Sequence, residues 1–226
     1  MSQKSASDNP EPGTRNPKPA LLVFDIGGVL IRIVHSWSQV FERVGLPRHE
    51  LFDDPKLAAK VVEFAMAFET GLIDEAEYVA RTVALTGFDA DKVLRAMRGI
   101  LIEPYPGVHD LLHEVTERNH IRTACLSNTN ATHWAMMIGP SDVAVPVEKL
   151  HHRFTSFEIG AMKPSEQVYK HVEKATGVEP SRILFFEDMP ANIEGARRRG
   201  WQVCPIDNQG DTALQMRRYL QEIGLL

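Results

Sequence analysis

Residues 21–30 read Leu-Leu-Val-Phe-Asp-Ile-Gly-Gly-Val-Leu, an apolar run interrupted by one aspartate and two glycines. Its first four residues are apolar and show no alternation, which is typical of a strand buried on both faces of a parallel sheet. Gly27 and Gly28 allow the backbone to turn sharply after Asp25. We therefore expect the Asp25 carboxylate at the carboxyl-terminal edge of the sheet, where open α/β folds bind their ligands. A surface aspartate in an ordinary turn is the alternative that this stretch alone leaves open.

The composition is that of a globular protein with a substantial core. The chain has 226 residues, of which 43% are hydrophobic and 24% charged, enough for one large domain or for a domain with an insertion. The formal net charge of -5 and the lack of a basic run argue against nucleic acid and against a membrane surface as partners. The apolar runs are too short to span a bilayer.

The cysteines and the amino-terminal segment bear on the compartment in which the chain works. Cys125 and Cys204 are the only cysteines, and both lie in apolar, strand-like segments. This predicts buried thiols in a reducing compartment, with neither a disulfide framework nor a zinc site. Residues 1–18 are polar and lack the apolar core of a secretory signal, so we expect a disordered leader. The cytoplasm is the expected location.

Between residues 35 and 104 the apolar spacing is helical. Four helices are expected there, with Asp74 as the N-cap of the third and Asp89 or Asp91 at the start of the fourth, and no strand is expected. Outside this range, short apolar strands alternate with helices. The sequence therefore predicts an α/β fold with a Rossmann-like parallel sheet, formed by residues 19–34 and 105–226, and an all-helical insertion at 35–104.

Three of the predicted strands end in polar groups. Asp25 follows the first, Ser127-Asn128 follows a strand that begins at Ile121, and Glu187-Asp188 follows a strand that begins at Ile183. Parallel strands place their carboxyl ends at one edge of the sheet, so these groups can converge in a single crevice.

The residue types at these strand ends suit a metal ion and a phosphorylated ligand. Carboxylates at close range raise one another's pKa unless a cation compensates them, and Asp25, Glu187 and Asp188 make an oxygen-rich site suited to Mg²⁺. Ser127 and backbone N–H groups near a helix N-terminus offer donors for phosphate oxygens. Lys163 can place a positive charge beside Asp25 and the phosphate, the alternative being an exposed lysine in front of a helix.

Four short motifs occur in a fixed order along the chain. They are Phe24-Asp25-Ile26-Gly27-Gly28-Val29, Leu126-Ser127-Asn128-Thr129-Asn130, Met162-Lys163-Pro164, and Phe186-Glu187-Asp188 with Asn192. With these motifs the chain resembles the haloacid dehalogenase (HAD) superfamily from about residue 20 to 220, and in particular its phosphatase-like subfamily IA, whose helical C1 cap is inserted after the first strand. Within that subfamily, the Gly-Gly-Val and Ser-Asn-Thr-Asn segments look most like those of glucose-1-phosphate phosphatases.

The resemblance implies a Mg²⁺-dependent phosphomonoester hydrolase that acts on a small phosphorylated metabolite, with a sugar phosphate as the expected substrate. A monomer or a homodimer is the expected assembly. The resemblance implies that Asp25 attacks phosphorus and forms an aspartyl-phosphate, which water then hydrolyses. Mg²⁺ would be held by the Asp25 carboxylate, the Gly27 carbonyl and Asp188.

The same resemblance assigns roles to the remaining motif residues. Glu187 would act through a metal-bound water, and Asn192 would orient the acidic pair. Ser127 and the Asn128 amide would bind the phosphate, while Lys163 would stabilise both Asp25 and the transition state.

The chain departs from the family pattern at Gly27, where phosphatases of the family usually carry a second aspartate that protonates the leaving group. General acid–base help is commonly worth about 10²–10⁴-fold in rate. The departure leaves three interpretations open: a phosphatase for substrates whose leaving group needs little protonation, or one with another proton source; a weakly active or non-catalytic phospholigand-binding protein; and a haloacid dehalogenase. Dehalogenases of the family also lack this aspartate, but the acidic Glu187-Asp188 pair argues against them and for metal.

Overall fold

The computed structural model describes residues 17–49, 53–118 and 121–226. A five-stranded parallel sheet in the order β5-β4-β1-β6-β7 lies at its centre, and a separate two-stranded ribbon pairs β2 with β3. The strands are β1 (Leu21–Phe24), β2 (Ile31–Ile33), β3 (Leu101–Pro104), β4 (Arg122–Ser127), β5 (His152–Thr155), β6 (Ile183–Glu187) and β7 (Gln202–Pro205).

Strand β1 is the middle of the sheet, as its unbroken apolar run predicts. All four of its residues are buried, and Phe24 lies in register with Cys125 of β4 and Phe186 of β6. The rings of Phe24 and Phe186 stack with their centroids 5.1 Å apart. This register places the carboxyl ends of β4, β1 and β6 at the same edge of the sheet, and with them the residues that follow these strands.

Helices cover both faces of the sheet. They are α5 (Val108–Thr116), α6 (Ala131–Ile138), α7 (Ser156–Ile159), α8 (Glu166–Thr176), α9 (Pro190–Arg198) and α10 (Thr212–Glu222). One core joins α5 and α10 to the face of the sheet that carries Phe24, through residues such as Leu111 and Met216. The other joins α8 and α9 to the opposite face, around Tyr169 and Phe185. The predicted α/β fold is confirmed.

A helical block, α1 to α4, lies between β2 and β3 in the chain. Its helices are α1 (Trp37–Arg43), α2 (Pro55–Glu69), α3 (Glu75–Thr86) and α4 (Ala90–Arg98). Three of them begin at an aspartate N-cap, because the carboxylates of Asp54, Asp74 and Asp89 accept hydrogen bonds from N–H groups of the first turn. A small core of its own, with Phe68 and Tyr78 stacked at 5.3 Å, holds the block together.

The helical block is fastened to the core domain near the start of α6. The ring Nε2 of His133 lies 2.8 Å from the carbonyl oxygen of Met97 in α4, and the Thr132 hydroxyl donates to the Glu75 carboxylate of α3. Gly71, in the turn between α2 and α3, packs on the backbone of Phe157, where a Cβ would lie 2.4 Å from the carbonyl oxygen. The α2–α3 turn therefore rests on α7, the helix that follows β5.

The expectation that residues 35–104 contain no strand is wrong. Leu101–Pro104 forms β3, which pairs antiparallel with β2 and places Ile31 opposite Pro104. The strand is four residues long and pairs with a segment some seventy positions away. Local periodicity carries no sign of such a distant pairing. The ribbon is the connection by which the chain leaves the sheet for the helical block and returns from it.

Other sequence-based expectations concern the ends of the chain and the cysteines. The predicted leader lies outside the described residues over 1–16, whereas the carbonyl oxygens of Pro17 and Lys18 accept hydrogen bonds from Gln202 and Arg182. Cys125 and Cys204 are buried free thiols, as predicted. In the part of the chain that the structure describes, no helix is long and apolar enough to cross a membrane.

Candidate active site

The polar strand ends meet at the carboxyl-terminal edge of the sheet. The backbone N–H of Asp25 donates to the carbonyl oxygen of Phe186 at 3.0 Å, which extends the pairing of β1 and β6 by one residue. Asp25 consequently lies beside Glu187, and ligand oxygens of Asp25, Glu187 and Asp188 fall within 4.8 Å of one another. The predicted convergence of the first and fourth motifs is present in the structure.

Lys163 lies between two of these carboxylates. Its Nζ is 2.8 Å from Oδ1 of Asp25 and 2.7 Å from Oε2 of Glu187. Relative exposures are 4% for Lys163, 6% for Asp25 and 0% for Glu187, so solvent does not screen these contacts. The structure therefore excludes the alternative of an exposed lysine.

Asn128 holds the backbone of Lys163 in place. Its Nδ2 donates to the carbonyl oxygen of Lys163 at 2.9 Å, and its Oδ1 accepts from the Lys163 N–H at 2.8 Å. Each end of this side-chain amide thus makes one hydrogen bond to the lysine backbone. The second N–H of Nδ2 and the backbone N–H of Asn128 remain as donors for a phosphate.

The turn after Asp25 needs glycine at its second position. Gly28 has φ +78°, and a Cβ there would lie 2.2 Å from Oδ2 of Asp188. The backbone of the turn thus packs directly against the Asp188 carboxylate. At Gly27, where φ is not positive, a Cβ would lie 3.1 Å from Cδ1 of Ile33 in β2. The space where the family's second aspartate would begin is therefore partly filled by an isoleucine.

The oxygens that remain for a cation can be read from the hydrogen bonds. Both oxygens of Glu187 are engaged, since Oε1 accepts the N–H groups of Asp188 and Met189 while Oε2 accepts Lys163. In Asp25 the N–H donors fall on Oδ1, which accepts Lys163 and the Ile26 N–H. Oδ1 of Asp188 is buried and has no hydrogen-bond partner in the described structure.

An orphaned carboxylate oxygen beside two further carboxylates fits a hard divalent cation such as Mg²⁺. Gly27 adds a carbonyl oxygen that accepts no hydrogen bond from the described residues, because the turn hydrogen bonds use Ile26 and Ile31 instead. The residues left with free oxygens are Asp25, Gly27 and Asp188. Glu187 lies behind them, with its own oxygens already satisfied.

The charges of the site are strongly coupled. Burial raises the pKa of Asp25 well above its usual range, and the neighbouring Glu187 raises it further against the opposing effect of Lys163. Burial likewise raises the pKa of Asp188. Burial alone would raise the pKa of Glu187 and lower that of Lys163. The attraction and the hydrogen bond between these two groups outweigh burial, so the pKa of Glu187 is lowered and that of Lys163 is raised. Attraction to Asp25 adds to the rise at Lys163. The pKa values of Asp25 and Asp188 are therefore both raised, which is the direction expected of buried carboxyls with too little positive charge beside them.

The other expected site residues, Ser127 and Asn192, make no side-chain hydrogen bond to the acidic cluster among the described residues. Ser127, at the end of β4, is buried, and its hydroxyl has no hydrogen-bond partner among the described residues, so it is available to a ligand. Asn192 is buried in α9, and its carbonyl oxygen accepts the Tyr169 hydroxyl at 2.9 Å. Within the described ranges, no hydrogen bond joins the Asn192 side chain to the acidic pair.

Sequence reasoning missed Asn208 and Ile33. Asn208 Nδ2 donates to Oδ2 of Asp188 at 2.8 Å from the loop after β7. A signal was available, because Asp207-Asn208 follows the last strand as the other polar groups follow theirs. Ile33 lies against Gly27 across the turn in which the Gly28 N–H donates to Ile31 and the Ile31 N–H donates to Ile26, and no motif of the sequence marks this contact.

With this geometry established, comparison with known proteins identifies the family. Over residues 19–200 the sequence matches the haloacid dehalogenase-like hydrolases. The chain belongs to this family.

Relatives within the haloacid dehalogenase-like hydrolases carry different activities. A phosphatase of Mycobacterium tuberculosis is 26% identical over 211 residues, which cover 91% of this chain and 95% of that protein. A (S)-2-haloacid dehalogenase of a Pseudomonas species is 26% identical over 160 residues, which cover 71% of this chain and 66% of that protein. A solved structure of a HAD family enzyme from Bacteroides thetaiotaomicron, in complex with magnesium and inorganic phosphate, has a TM-score of 0.70 at 22% identity, covering 85% of this chain and 96% of that chain.

Family membership confirms the superfamily and the hydrolase class expected from the four motifs. The structural likeness bears on the fold, which it supports over most of the chain. The resemblance to glucose-1-phosphate phosphatases stays a prediction. The contribution of Lys163, which bridges two buried carboxylates in this HAD-like site, can be measured without a substrate.

Replacing Lys163 by methionine is expected to lower the free energy of unfolding by about 3–5 kcal/mol, because Asp25 and Glu187 would stay buried without their cation. The folded-state pKa of Glu187, now lowered by Lys163, would then lie above its unfolded value, and that of Asp25, already raised, would rise further. Folding would bind protons, and the deficit relative to wild type would shrink as the pH falls from 8 to 5. Urea unfolding at both pH values measures this.

Lys170→Met is the matched control, since Lys170 pairs with Glu166 at 3.0 Å on the exposed face of α8. Exposed pairs of this kind contribute about 0–1 kcal/mol. Equal losses in the two variants, or a Lys163→Met deficit that does not depend on pH, would contradict the description of Lys163 as the compensating buried charge.

Proposed function

We propose that this chain is a Mg²⁺-dependent phosphomonoesterase that acts on a small phosphorylated metabolite, with Asp25 as its nucleophile. The observation that carries the proposal is the buried Asp25 carboxylate, which is held by Lys163 and has an oxygen within 4.8 Å of an Asp188 oxygen; Oδ1 of Asp188 has no hydrogen-bond partner among the described residues. A nucleophile between a fixed cation and a metal position suits attack on a phosphoryl group, whose charge must be neutralised.

The relatives support the same activity. The Mycobacterium tuberculosis protein, which aligns over almost its whole length, is a phosphatase, and the Bacteroides thetaiotaomicron enzyme binds magnesium and inorganic phosphate. A dehalogenase also aligns with the chain. The three carboxylates within 4.8 Å favour the phosphatase, because a haloacid substrate gives such a cluster nothing to compensate it.

The proposed reaction has two displacements at phosphorus. The Asp25 carboxylate forms a bond to phosphorus while the bond to the leaving-group oxygen breaks, which gives an aspartyl-phosphate. Water then attacks the phosphorus, the bond to Asp25 breaks, and phosphate leaves with the carboxylate restored. Bound Mg²⁺ would neutralise charge on the phosphoryl oxygens. The Ser127 hydroxyl would donate to the phosphate, and Lys163 would hold Asp25 in orientation and stabilise the transition-state charge.

Gly27 sets the class of leaving group. It supplies no proton, so the chain favours phosphates whose leaving group departs without strong protonation, such as an anomeric sugar phosphate. The helical block, fastened beside the loop after β4, would act as the cap that covers the site and selects the substrate. The second candidate function, a phospholigand-binding protein with little turnover, is favoured by the same glycine and by no other feature.

Phosphate release across a panel of phosphomonoesters tests the proposal. We expect turnover with Mg²⁺ on anomeric sugar phosphates and p-nitrophenyl phosphate, its loss on chelation of the metal, and a loss of at least about 10³-fold in Asp25→Asn, which removes the nucleophile. Equal release by wild type and Asp25→Asn on every substrate would exclude the phosphatase. Tight phosphate-ester binding without turnover would instead support the binding protein.

The contact between Gly27 and Ile33 leads to a second test. Gly27→Asp alone is expected to restore little activity towards alkyl phosphates, since its Cβ would lie 3.1 Å from Ile33 Cδ1. Combining it with Ile33→Ala would make room for the carboxyl, and kcat/KM for alkyl phosphates is expected to rise by about 10²-fold or more. Activity on p-nitrophenyl phosphate, a good leaving group, should change little.

Ile33→Ala alone is the control for this pair of substitutions, because it opens the space without adding an acid. A double variant that gains nothing over Ile33→Ala would show that a missing acid at position 27 does not limit the substrate range. A gain that is equal for good and poor leaving groups would contradict the argument in the same way.

A further inference from the structure

We propose that Asn208, in the loop after β7, is a positioning residue that orients the Asp188 carboxylate and thereby sets the affinity of the site for its divalent cation. The proposal rests on the proposed metal-dependent function, and it concerns a residue that lies outside all four sequence motifs. Asn208 itself would touch neither the cation nor the substrate.

The two oxygens of Asp188 differ in their surroundings. Oδ2 accepts a hydrogen bond of 2.8 Å from Nδ2 of Asn208, whereas Oδ1 is buried and has no partner in the described structure. A carboxylate is symmetric, so a donor on one side decides which oxygen stays free. Buried oxygens are rarely left without a partner, and a free Oδ1 on a carboxylate that clusters with two others points to a cation as the partner.

Gly28 limits the alternative positions of this carboxylate. The backbone of the turn after Asp25 lies so close beneath Oδ2 of Asp188 that a Cβ would be only 2.2 Å away. The carboxylate is therefore confined between the turn on one side and Asn208 on the other. Without the hydrogen bond from Asn208, rotation about Cβ–Cγ would be restrained by packing alone, and Oδ1 would spend less time in its ligating position.

The amide of Asn208 is itself held in one orientation. Nε2 of Gln209 donates to Oδ1 of Asn208 at 2.7 Å, which leaves Nδ2 as the group that faces Asp188. The Tyr105 hydroxyl donates to the backbone carbonyl of Asn208 at 2.8 Å. The preceding residue is clamped by Gln215, which accepts the Asp207 N–H at 2.9 Å and donates to the Asp207 carbonyl at 2.9 Å. Together these hydrogen bonds fix the position of the loop that carries Asn208.

Tyr105 extends the arrangement to the ribbon that carries the helical block. It follows β3 directly, and its N–H donates to the carbonyl oxygen of Leu30, just before β2. The Arg32 guanidinium of β2 lies 5.0 Å from the centre of the Tyr105 ring. The support for Asp188 therefore runs from the last strand of the sheet to the segment at which the chain leaves the sheet.

Calorimetric titration of the full chain with Mg²⁺ alone, with no substrate, tests the proposal. Outer ligands of this kind typically change metal affinity by about 10–100-fold, so Asn208→Ala is expected to raise the Kd for Mg²⁺ by that factor. Tyr105→Phe, which loses only the hydroxyl, should have a smaller effect. Gln221→Ala, an exposed amide in α10, is the control and should bind as wild type does.

Two further readouts separate positioning from a structural role. The melting temperature of Asn208→Ala in chelator should match that of wild type, and the Mg²⁺ concentration for half-maximal phosphate release should rise while kcat at saturating Mg²⁺ stays within about 3-fold. An unchanged Kd for Mg²⁺ would overturn the proposal, whatever happens to the melting temperature. So would a wild type that binds no Mg²⁺.

The outcome for Asn208 can be told apart from the outcome for the proposed function. If wild type binds Mg²⁺ and Asn208→Ala weakens that binding, but neither protein releases phosphate from any ester, the role of Asn208 stands and the phosphatase fails. If phosphate release depends on Asp25 and the Kd for Mg²⁺ is insensitive to residue 208, the phosphatase stands and the role of Asn208 fails.

Discussion

The buried ammonium of Lys163 is the interaction on which the rest of the site depends. Its Nζ lies 2.8 Å from the Asp25 carboxylate and 2.7 Å from that of Glu187. These carboxylates stand at the ends of two neighbouring strands, β1 and β6, and the ammonium compensates the repulsion between them. Because all three groups are buried, removal of the cation would leave charges that neither solvent nor another residue could compensate. Asn128 of the second motif fixes the backbone of Lys163 in the third motif, and Lys163 in turn holds Asp25 of the first motif.

Lys163 compensates only one side of the acidic cluster. On the other side, the Asp188 carboxylate lies on the backbone of Gly28, and one of its oxygens has no partner in the part of the chain that the structure describes. The pKa values of Asp25 and Asp188 are both raised, first of all by burial, which is the direction expected of a site that still lacks a positive charge. In the proposed function a divalent cation supplies that charge, and the nucleophile lies between the two cations.

The sequence was sufficient for features that depend on a local pattern or on strand order. The apolar run before Asp25 predicted a central buried strand, and the parallel arrangement predicted that Asp25, Glu187 and Asp188 would meet. It was insufficient where distant segments pair or touch. Strand β3 becomes a strand only through its pairing with β2, a segment far away in the sequence. The contact between Asn208 and Asp188 likewise depends on where the last strand ends.

The most direct test of the account is to trap the covalent intermediate. Wild type with Mg²⁺ and a substrate that turns over would be quenched in acid within the first turnovers, digested, and searched by mass spectrometry for a phosphorylated carboxylate. The account predicts one phosphoryl group on Asp25, and none in a sample quenched before substrate is added. Turnover without a phosphoryl group on Asp25, or with the group on another residue, would contradict it.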